Sequence, residues 1–268
     1  MNPEKIRVFI TVKTYPTLSA KYDELVCTAG ITEKGNWIRI YPVPFRKLQW
    51  KNQYKKYQWI ELDVIRNTDD FRPESHKPIN RGQSINIKEK VEHWGDKKNI
   101  IFQETIFTNM KDLIANAKNQ KTSLAIFKPK EIVDFKIEPT EREWDAQKIK
   151  QIEEESRQLN LFDSDQNSYE IFQRVKKLPY KFSYSFIDEE DTKSTLMIED
   201  WELGALYWKY ENEQEAIQKV KQKFFDELKQ KDLYLFLGTT KKFHNISPNP
   251  FIIIGVFYPP LTNQMSLL

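Results

Sequence analysis

From Ile6 to Lys13, apolar Ile6, Val8, Ile10 and Val12 alternate with Arg7, Phe9, Thr11 and Lys13, the period of two expected of a half-buried strand. Leu25, Cys27, Ala29 and Ile31 repeat the pattern on an inward face. The turn residues Glu33-Lys34-Gly35-Asn36 then lead into Trp37-Ile38-Arg39-Ile40-Tyr41. Residues 24 to 43 therefore read as a hairpin, ended by Pro42 and Pro44. A fourth strand, Trp59 to Val64, buries Ile60, Leu62 and Val64 while showing Glu61 and Asp63, and weaker strand patterns lie at 84–91 and 123–137. Short strands in such succession predict a small barrel or a strongly curled sheet. Residues 105–119 suit a helix with Met110, Leu113 and Ile114 on one side.

Residues 141–158, EREWDAQKIKQIEEESRQ, are rich in helix formers and charge and read as a connecting helix, and LNLFDSDQNS after it reads as an exposed linker. Beyond it, Tyr180, Phe182, Tyr184 and Phe186 alternate with polar residues, and DEEDTKS turns the chain into Thr195-Leu196-Met197-Ile198, a second hairpin. Asp200 suits the cap of a helix from Trp201, and Ala216, Ile217, Val220, Phe224 and Leu228 fall at helical spacing in the next. Apolar runs at 233–237 and 251–257 read as buried strands. The expected class is α+β: a β-rich, barrel-like N-terminal domain formed by a curled antiparallel sheet (1–140), a connecting helix and linker (141–168), an α+β domain (169–260) and a flexible tail (261–268).

Composition narrows the classes. Aromatics at 13% and hydrophobic residues at 39% exclude a chain disordered along its length. No apolar run approaches the roughly 18 residues a membrane span needs, and the first residues run directly into strand pattern, so a cytoplasmic protein is expected. With one cysteine, Cys27, and only His76, His93 and His244, neither an internal disulfide nor a zinc site is expected. Cys27 itself reads as a small buried thiol. No cofactor is expected, since neither a Gly-rich phosphate cradle nor a nuclease-type carboxylate set is present.

The net charge of +3 is too small to mark a nucleic-acid binder, but its distribution is lopsided. Residues 1–60 hold eleven basic against four acidic side chains, a net of +7, which leaves −4 for the other 208. Within that segment Arg46 and Lys47 precede the run from Trp50 to Trp59, WKNQYKKYQW, where aromatic faces that stack bases interleave with cations that neutralise phosphates. Arg39, Arg46, Lys47, Lys55 and Lys56 are the candidate phosphate contacts, and Trp50, Tyr54 and Trp59 the candidate stacking residues, for DNA or RNA. Aromatics at a strand entry also serve to cover a barrel mouth.

The loop Asn67 to Pro78 gathers Asp70, Arg72, Glu74, His76 and Lys77. Arg72, Glu74 and His76 are the candidate catalytic set if the protein is an enzyme acting on nucleic acid or nucleotides, which requires them to converge on a concave surface with Arg39 or Arg46.

Gln158-Leu159-Asn160-Leu161-Phe162 resembles the linear motif with which bacterial DNA-processing proteins dock on the replication sliding clamp, usually Gln-Leu-(Ser or Asp)-Leu-Phe. Asn160 is the one departure, a small polar residue in a small polar position. The resemblance covers five residues and implies an address, with no fold. It assigns partner contacts to Gln158, Leu159, Leu161 and Phe162, the amide fixing one end and the apolar side chains filling adjacent pockets, and it places the protein in a bacterial or phage setting. Gln264-Met265-Ser266-Leu267-Leu268 is a weaker copy. The leading expectation is a nucleic-acid-binding accessory protein brought to DNA by the clamp. The alternatives are the enzyme above and a protein-interaction module that dimerises through the aromatic C-terminal hairpin.

Overall fold

The computed structural model describes residues 3–19, 23–82, 84–147, 149–150, 154 and 175–261. Strands β1 (Glu4–Lys13), β3 (Asp23–Thr32), β4 (Trp37–Val43), β6 (Ser75–Pro78) and β5 (Gln58–Arg66) pair in that order, and β5 pairs back onto β1 to close a five-strand barrel. Only β4 and β6 run parallel; the other pairs are antiparallel. The short β2 (Thr17–Ser19) extends β3, and β7 (Asn86–Lys90) extends β5.

The barrel interior holds Val8, Ile10, Val26, Ile38, Ile40, Ile60, Leu62 and Val64, the apolar phase of each strand. Two 3-10 turns, Phe45–Lys47 and Trp50–Asn52, bring Phe45 and Tyr54 edge to face at 4.8 Å to plug one end. The Tyr54 hydroxyl, sealed inside, is joined to the Thr28 hydroxyl, so the plug leaves no unpaired polar group there.

The outer face of β1, β3 and β4 is also buried. Phe9, Val12, Ala29, Ile31 and Trp37 pack against Leu124, Ile126, Phe236, Ile254 and Phe257 of a second sheet, with Trp37 edge-on to Phe236 at 5.7 Å. Two expectations are corrected by this packing. A register shift between Ile10 and Val12 adds one residue to the strand and turns Val12 to the face opposite Ile10. Ala29 and Ile31 face outward to the second sheet, with Val26 inside, and Cys27 is only half-buried.

After the barrel come α1 (Trp94–Ile101), β8 (Ile106–Phe107), α2 (Met110–Lys118), β9 (Leu124–Phe127) and β10 (Glu131–Pro139). Then follow β11 (Tyr180–Ile187), β12 (Lys193–Met197), α3 (Trp201–Tyr207), α4 (Glu213–Lys221), β13 (Tyr234–Thr239) and β14 (Phe251–Phe257). One sheet runs β14-β13-β9-β8 and another β10-β11-β12, bridged where Ile198 meets Ile253. Asn109 caps α2 by accepting from the amides of Lys111 and Asp112, and Asp200 caps α3 from those of Glu202 and Leu203. The helix continuing α4 widens into a π turn over Gln222–Glu227, where the buried Tyr184 hydroxyl donates to the Phe224 carbonyl; a side chain inserted into the helical ladder is one cause of such widening.

The barrel ends before β8, whereas β8, β9 and β10 belong to the sheets of the second half. The boundary expected at 140 thus moves back to about residue 104. Of the connecting helix expected over 141–158, residues 141–145 are not helical while 146, 147, 149, 150 and 154 are; the linker up to 168, Gln158 to Phe162 and the C-terminal copy lie outside the described residues. The ends that flank this stretch are described: Pro139 pairs with Tyr180, and the Trp144 indole donates to the Val175 carbonyl at 2.8 Å.

Candidate nucleic-acid interface

Where the barrel rim meets α3, a cleft of about 520 Å³ is lined by Lys13, Lys55, Lys56, Tyr57, Lys90, Asp200, Trp201, Glu202 and Ala205. Three separate elements of the barrel supply its cations, the end of β1, the approach to β5 and the end of β7, and they face α3 of the second half. Tyr57 has φ 63°, the left-handed region that a bulky residue adopts only when its surroundings hold it. Its amide donates to the Ile10 carbonyl at 2.7 Å and its carbonyl accepts from Val91 at 2.8 Å. The turn so fixed sends Lys56 inward and leaves Lys55 exposed.

The floor carries the buried Lys56 and the half-buried Lys13. Lys56 Nζ donates to the Val256 carbonyl at 2.8 Å and to Glu202 Oε2 at 3.3 Å, and lies 4.0 Å from Asp200 Oδ2. Burial alone would lower its pKa, but Tyr57, Glu202 and Asp200 together raise it, so it stays charged. Lys13 Nζ lies over the rings of Phe45 at 4.2 Å and Trp201 at 5.0 Å, and donates to the Tyr54 carbonyl at 3.2 Å. Among the described residues it has no carboxylate at ion-pair distance. Burial brings its pKa down to about 8, against the pull of Glu202 and Asp200. Burial also raises Asp200, despite Lys56 and the two amides it caps.

A second cleft of about 270 Å³ adjoins the first across Trp201 and Ala205, and is lined by Tyr15, Pro16, Arg46, Val175, Lys176 and Trp208. Lys176 Nζ lies over the Trp208 ring at 5.0 Å. The α3 backbone approaches Tyr15 closely here, because residue 204 is glycine and a Cβ would stand 2.0 Å from the Tyr15 ring.

Of the residues expected to meet nucleic acid, Lys55 and Lys56 line the first cleft and Arg46 the second, Lys47 is exposed, and Trp50 is 85% exposed on its 3-10 turn. Two are corrected. Tyr54 is 1% exposed and plugs the barrel, out of reach of any base, and Arg39, 2% exposed, binds the Ser123 carbonyl and hydroxyl at 3.0 and 3.1 Å. Trp59 is half-buried with Arg7 over its ring at 5.0 Å. Sequence reasoning missed Lys13, Lys90 and Trp201. The run of aromatics and lysines it followed is local, while these three reach the same cleft from separate elements.

The loop read as a catalytic candidate is instead an interdomain lock. Asp70 accepts from Arg72 Nε at 2.9 Å, Arg72 Nη2 at 2.6 Å and the Ser75 hydroxyl at 2.8 Å, and Arg72 donates across to the Thr239 carbonyl of β13. Glu74 accepts from the Ser123 amide at 2.7 Å and from the Ser123 hydroxyl, so Arg39 and Glu74 meet at Ser123 between barrel and second sheet. Thr239 in turn joins His244 Nδ1 at 2.8 Å. Arg39, Arg72 and Glu74 thus converge between the two halves, where Arg39 Nε stays buried without a hydrogen-bond partner and Glu74 also lines a cleft of about 360 Å³ with Trp37 and Glu104. His76 stands apart, with Nδ1 2.9 Å from the Glu74 carbonyl. The aromatic hairpin proposed as a dimer surface is also internal, with Phe182, Tyr184 and Phe186 at most 1% exposed.

Among the described residues no three His, Cys, Asp or Glu side chains are grouped to hold a metal ion, and no helix is long and apolar enough to cross a membrane. The molecule is thus an α+β protein in which a closed five-strand barrel is locked against a mixed sheet-and-helix half. That second half is matched, over residues 106–268, by the family model described as Domain of unknown function (DUF8757), and the chain belongs to this family. The barrel, over residues 4–103, is matched by a second model, Domain of unknown function (DUF8758). No curated protein matches the chain.

Proposed function

We propose that the protein is a nucleic-acid-binding accessory factor, brought to DNA by the sliding clamp through Gln158, Leu159, Leu161 and Phe162. The observation that carries the binding half is the convergence of Lys13, Lys55, Lys56 and Lys90 with Trp201 on one concave seam. Asp200 and Glu202 stand against Lys56, and Glu92 pairs with Lys90 at 2.7 Å, so three carboxylates oppose four ammonium groups and one positive charge is left over for phosphate. Small Greek-key barrels of the OB type bind oligonucleotides on the face of their second and third strands. The equivalent strands here, β3 and β4, lie under the second sheet, and that is the reason for placing the contact at the rim instead.

The recruitment half draws support from how the chain is threaded. The segment 140–179 joins β10 to β11, whose ends pair at Pro139 and Tyr180; its described ends pack onto the barrel, where Trp144, Ile149 and Val175 meet Leu18 and Tyr15, and Gln158 to Phe162 fall between those ends in sequence. Connections that long within a compact unit are usually functional segments or linkers, which suits a docking peptide.

The test has two arms. Fluorescence anisotropy with labelled oligonucleotides should show an affinity that falls at least tenfold between 50 and 200 mM salt; no binding at either salt, or no salt dependence, overturns the first half. Purified clamp should retain the intact chain and lose the Leu161→Ala, Phe162→Ala variant with its melting temperature unchanged. Equal retention of both overturns the second half.

A further inference from the structure

Two compartments share the Trp201 side chain as a wall, one of about 520 Å³ holding Lys13, Lys55 and Lys90, the other of about 270 Å³ holding Arg46, Lys176 and Trp208. We propose, resting on the nucleic-acid reading above, that this seam is a path for a single strand, one nucleotide seated in each compartment, with the phosphate between them taken by Lys13.

Lys13 is singled out by its coordination. An ammonium has three donors. Lys56 has the Val256 carbonyl and the carboxylates of Glu202 and Asp200 around it, whereas the half-buried Lys13 has one hydrogen bond, to the Tyr54 carbonyl, and ring faces. A half-buried cation with donors to spare is partly desolvated, and a phosphate oxygen would supply it with charge-assisted acceptors. Its other charged neighbours are Glu202 and Asp200, which favour its charge, and Lys55 and Lys56, which oppose it. An added phosphate tips that balance.

The stack comes from the tryptophans. Phe45 meets Trp201 edge-on at 5.3 Å, and Trp208 is 36% exposed in the second compartment, where it offers a ring to a base. The larger volume lies within the range of pockets that take a ligand the size of a nucleotide. Stacking on side chains requires a base that is free of its duplex neighbours.

The experiment compares a labelled thymidine dodecamer, a labelled duplex of the same length and, as competitor, thymidine monophosphate. The dodecamer should bind at least tenfold tighter than the duplex, and the mononucleotide should compete only at concentrations a hundredfold higher than unlabelled dodecamer. Lys13→Met should weaken the single strand ten- to a hundredfold, the loss expected for one charge-assisted contact, and lower the salt slope by about one. Trp208→Ala should weaken it with the slope unchanged. Wild-type affinity should fall as pH rises from 7 to 9, because Lys13 loses its proton there, and Lys13→Met should be flat over that interval. Lys90→Glu, on the exposed rim, should also weaken binding, and it keeps the test open if the Lys13 substitution unfolds the chain.

Salt-sensitive binding that Lys13→Met, Trp208→Ala and Lys90→Glu all leave unchanged would overturn the path while sparing nucleic-acid binding elsewhere. Equal affinity for duplex would overturn it too, and a mononucleotide that competes as well as the dodecamer would make the cleft a free-nucleotide pocket. Binding of no nucleic acid at all would remove the reading on which the path rests.

Discussion

Replacing Arg72 by methionine removes the guanidinium that joins the barrel loop to β13 while keeping most of its volume. In the native protein the Asp70 carboxylate, 3% exposed, accepts from Arg72 at 2.9 and 2.6 Å. In the variant only the Ser75 hydroxyl and the residue-72 amide remain to it, and the Thr239 carbonyl loses a donor. A buried charge deprived of its partner costs about 3–5 kcal/mol, a large share of the ~5–15 kcal/mol that stabilises an ordinary domain. The loss should also be pH-dependent. Burial works to raise Asp70, but the Arg72 fork overrides it and holds the carboxyl at about 2, below its usual value near 3.9. The native pair therefore contributes fully above pH ~4 and loses about 2 kcal/mol as pH falls towards 2. In Arg72→Met only the Ser75 hydroxyl and the residue-72 amide still oppose burial, so Asp70 takes up its proton at higher pH than in the native protein and the gap between variant and native protein narrows in acid. Urea titrations at pH 7 and pH 2.5, followed by tryptophan fluorescence and by far-ultraviolet circular dichroism, would measure both. A deficit below 1 kcal/mol at pH 7, or one equally large at both pH values, would refute the reasoning. The two signals should coincide in the native protein, since the lock and the shared apolar face make the halves unfold together.

Phe236→Ala should cost about 3–5 kcal/mol and separate the two unfolding signals, because Phe236 stands between Trp37 of the barrel and Phe257 of the second sheet; coincident transitions would argue against a single continuous interface. Gly204→Ala should lower stability by about 1–3 kcal/mol, since the Tyr15 ring it meets is tethered by a 2.7 Å bond from its hydroxyl to the Lys176 carbonyl and has little room to retreat. Asn109→Ala should cost about 1 kcal/mol in thermal melts through loss of the α2 cap, and a smaller effect for Asn109→Asp would confirm the side-chain oxygen as the active group.

The alternation in β1, β4 and β5 was readable because each strand presents one phase to the barrel interior, and Val8, Ile38 and Ile60 lie where the pattern puts them. The partner of the other phase was not readable. Phe9 and Ala29 carry no mark that a sheet assembled from residues 106–257 will cover them, and the extra residue that turns Val12 over has no signature in the chain. The caps Asp200 and the helical spacing of Ala216, Val220 and Phe224 were legible for the opposite reason, being local. The candidate site divides in the same way. Lys55 and Lys56 were visible in a cationic aromatic run, but so was Tyr54, and only the closing of the barrel decides that Tyr54 turns in. Arg39, Arg72 and Glu74 looked like chemistry because charge density is what sequence displays, whereas their hydrogen bonds to Ser123 and Thr239 across the two halves are a property of three-dimensional proximity.

The pairing of Pro139 with Tyr180 makes the molecule divisible. A cut in the connection between them, at a position from 155 to 174, would leave one piece with the barrel, β8, β9 and β10 and another with β11 to β14. Each piece would hold strands that hydrogen-bond into the other's sheets, β9 to β13 and β10 to β11. Two such fragments expressed apart should find each other and reassemble, so the protein lends itself to use as a split reporter.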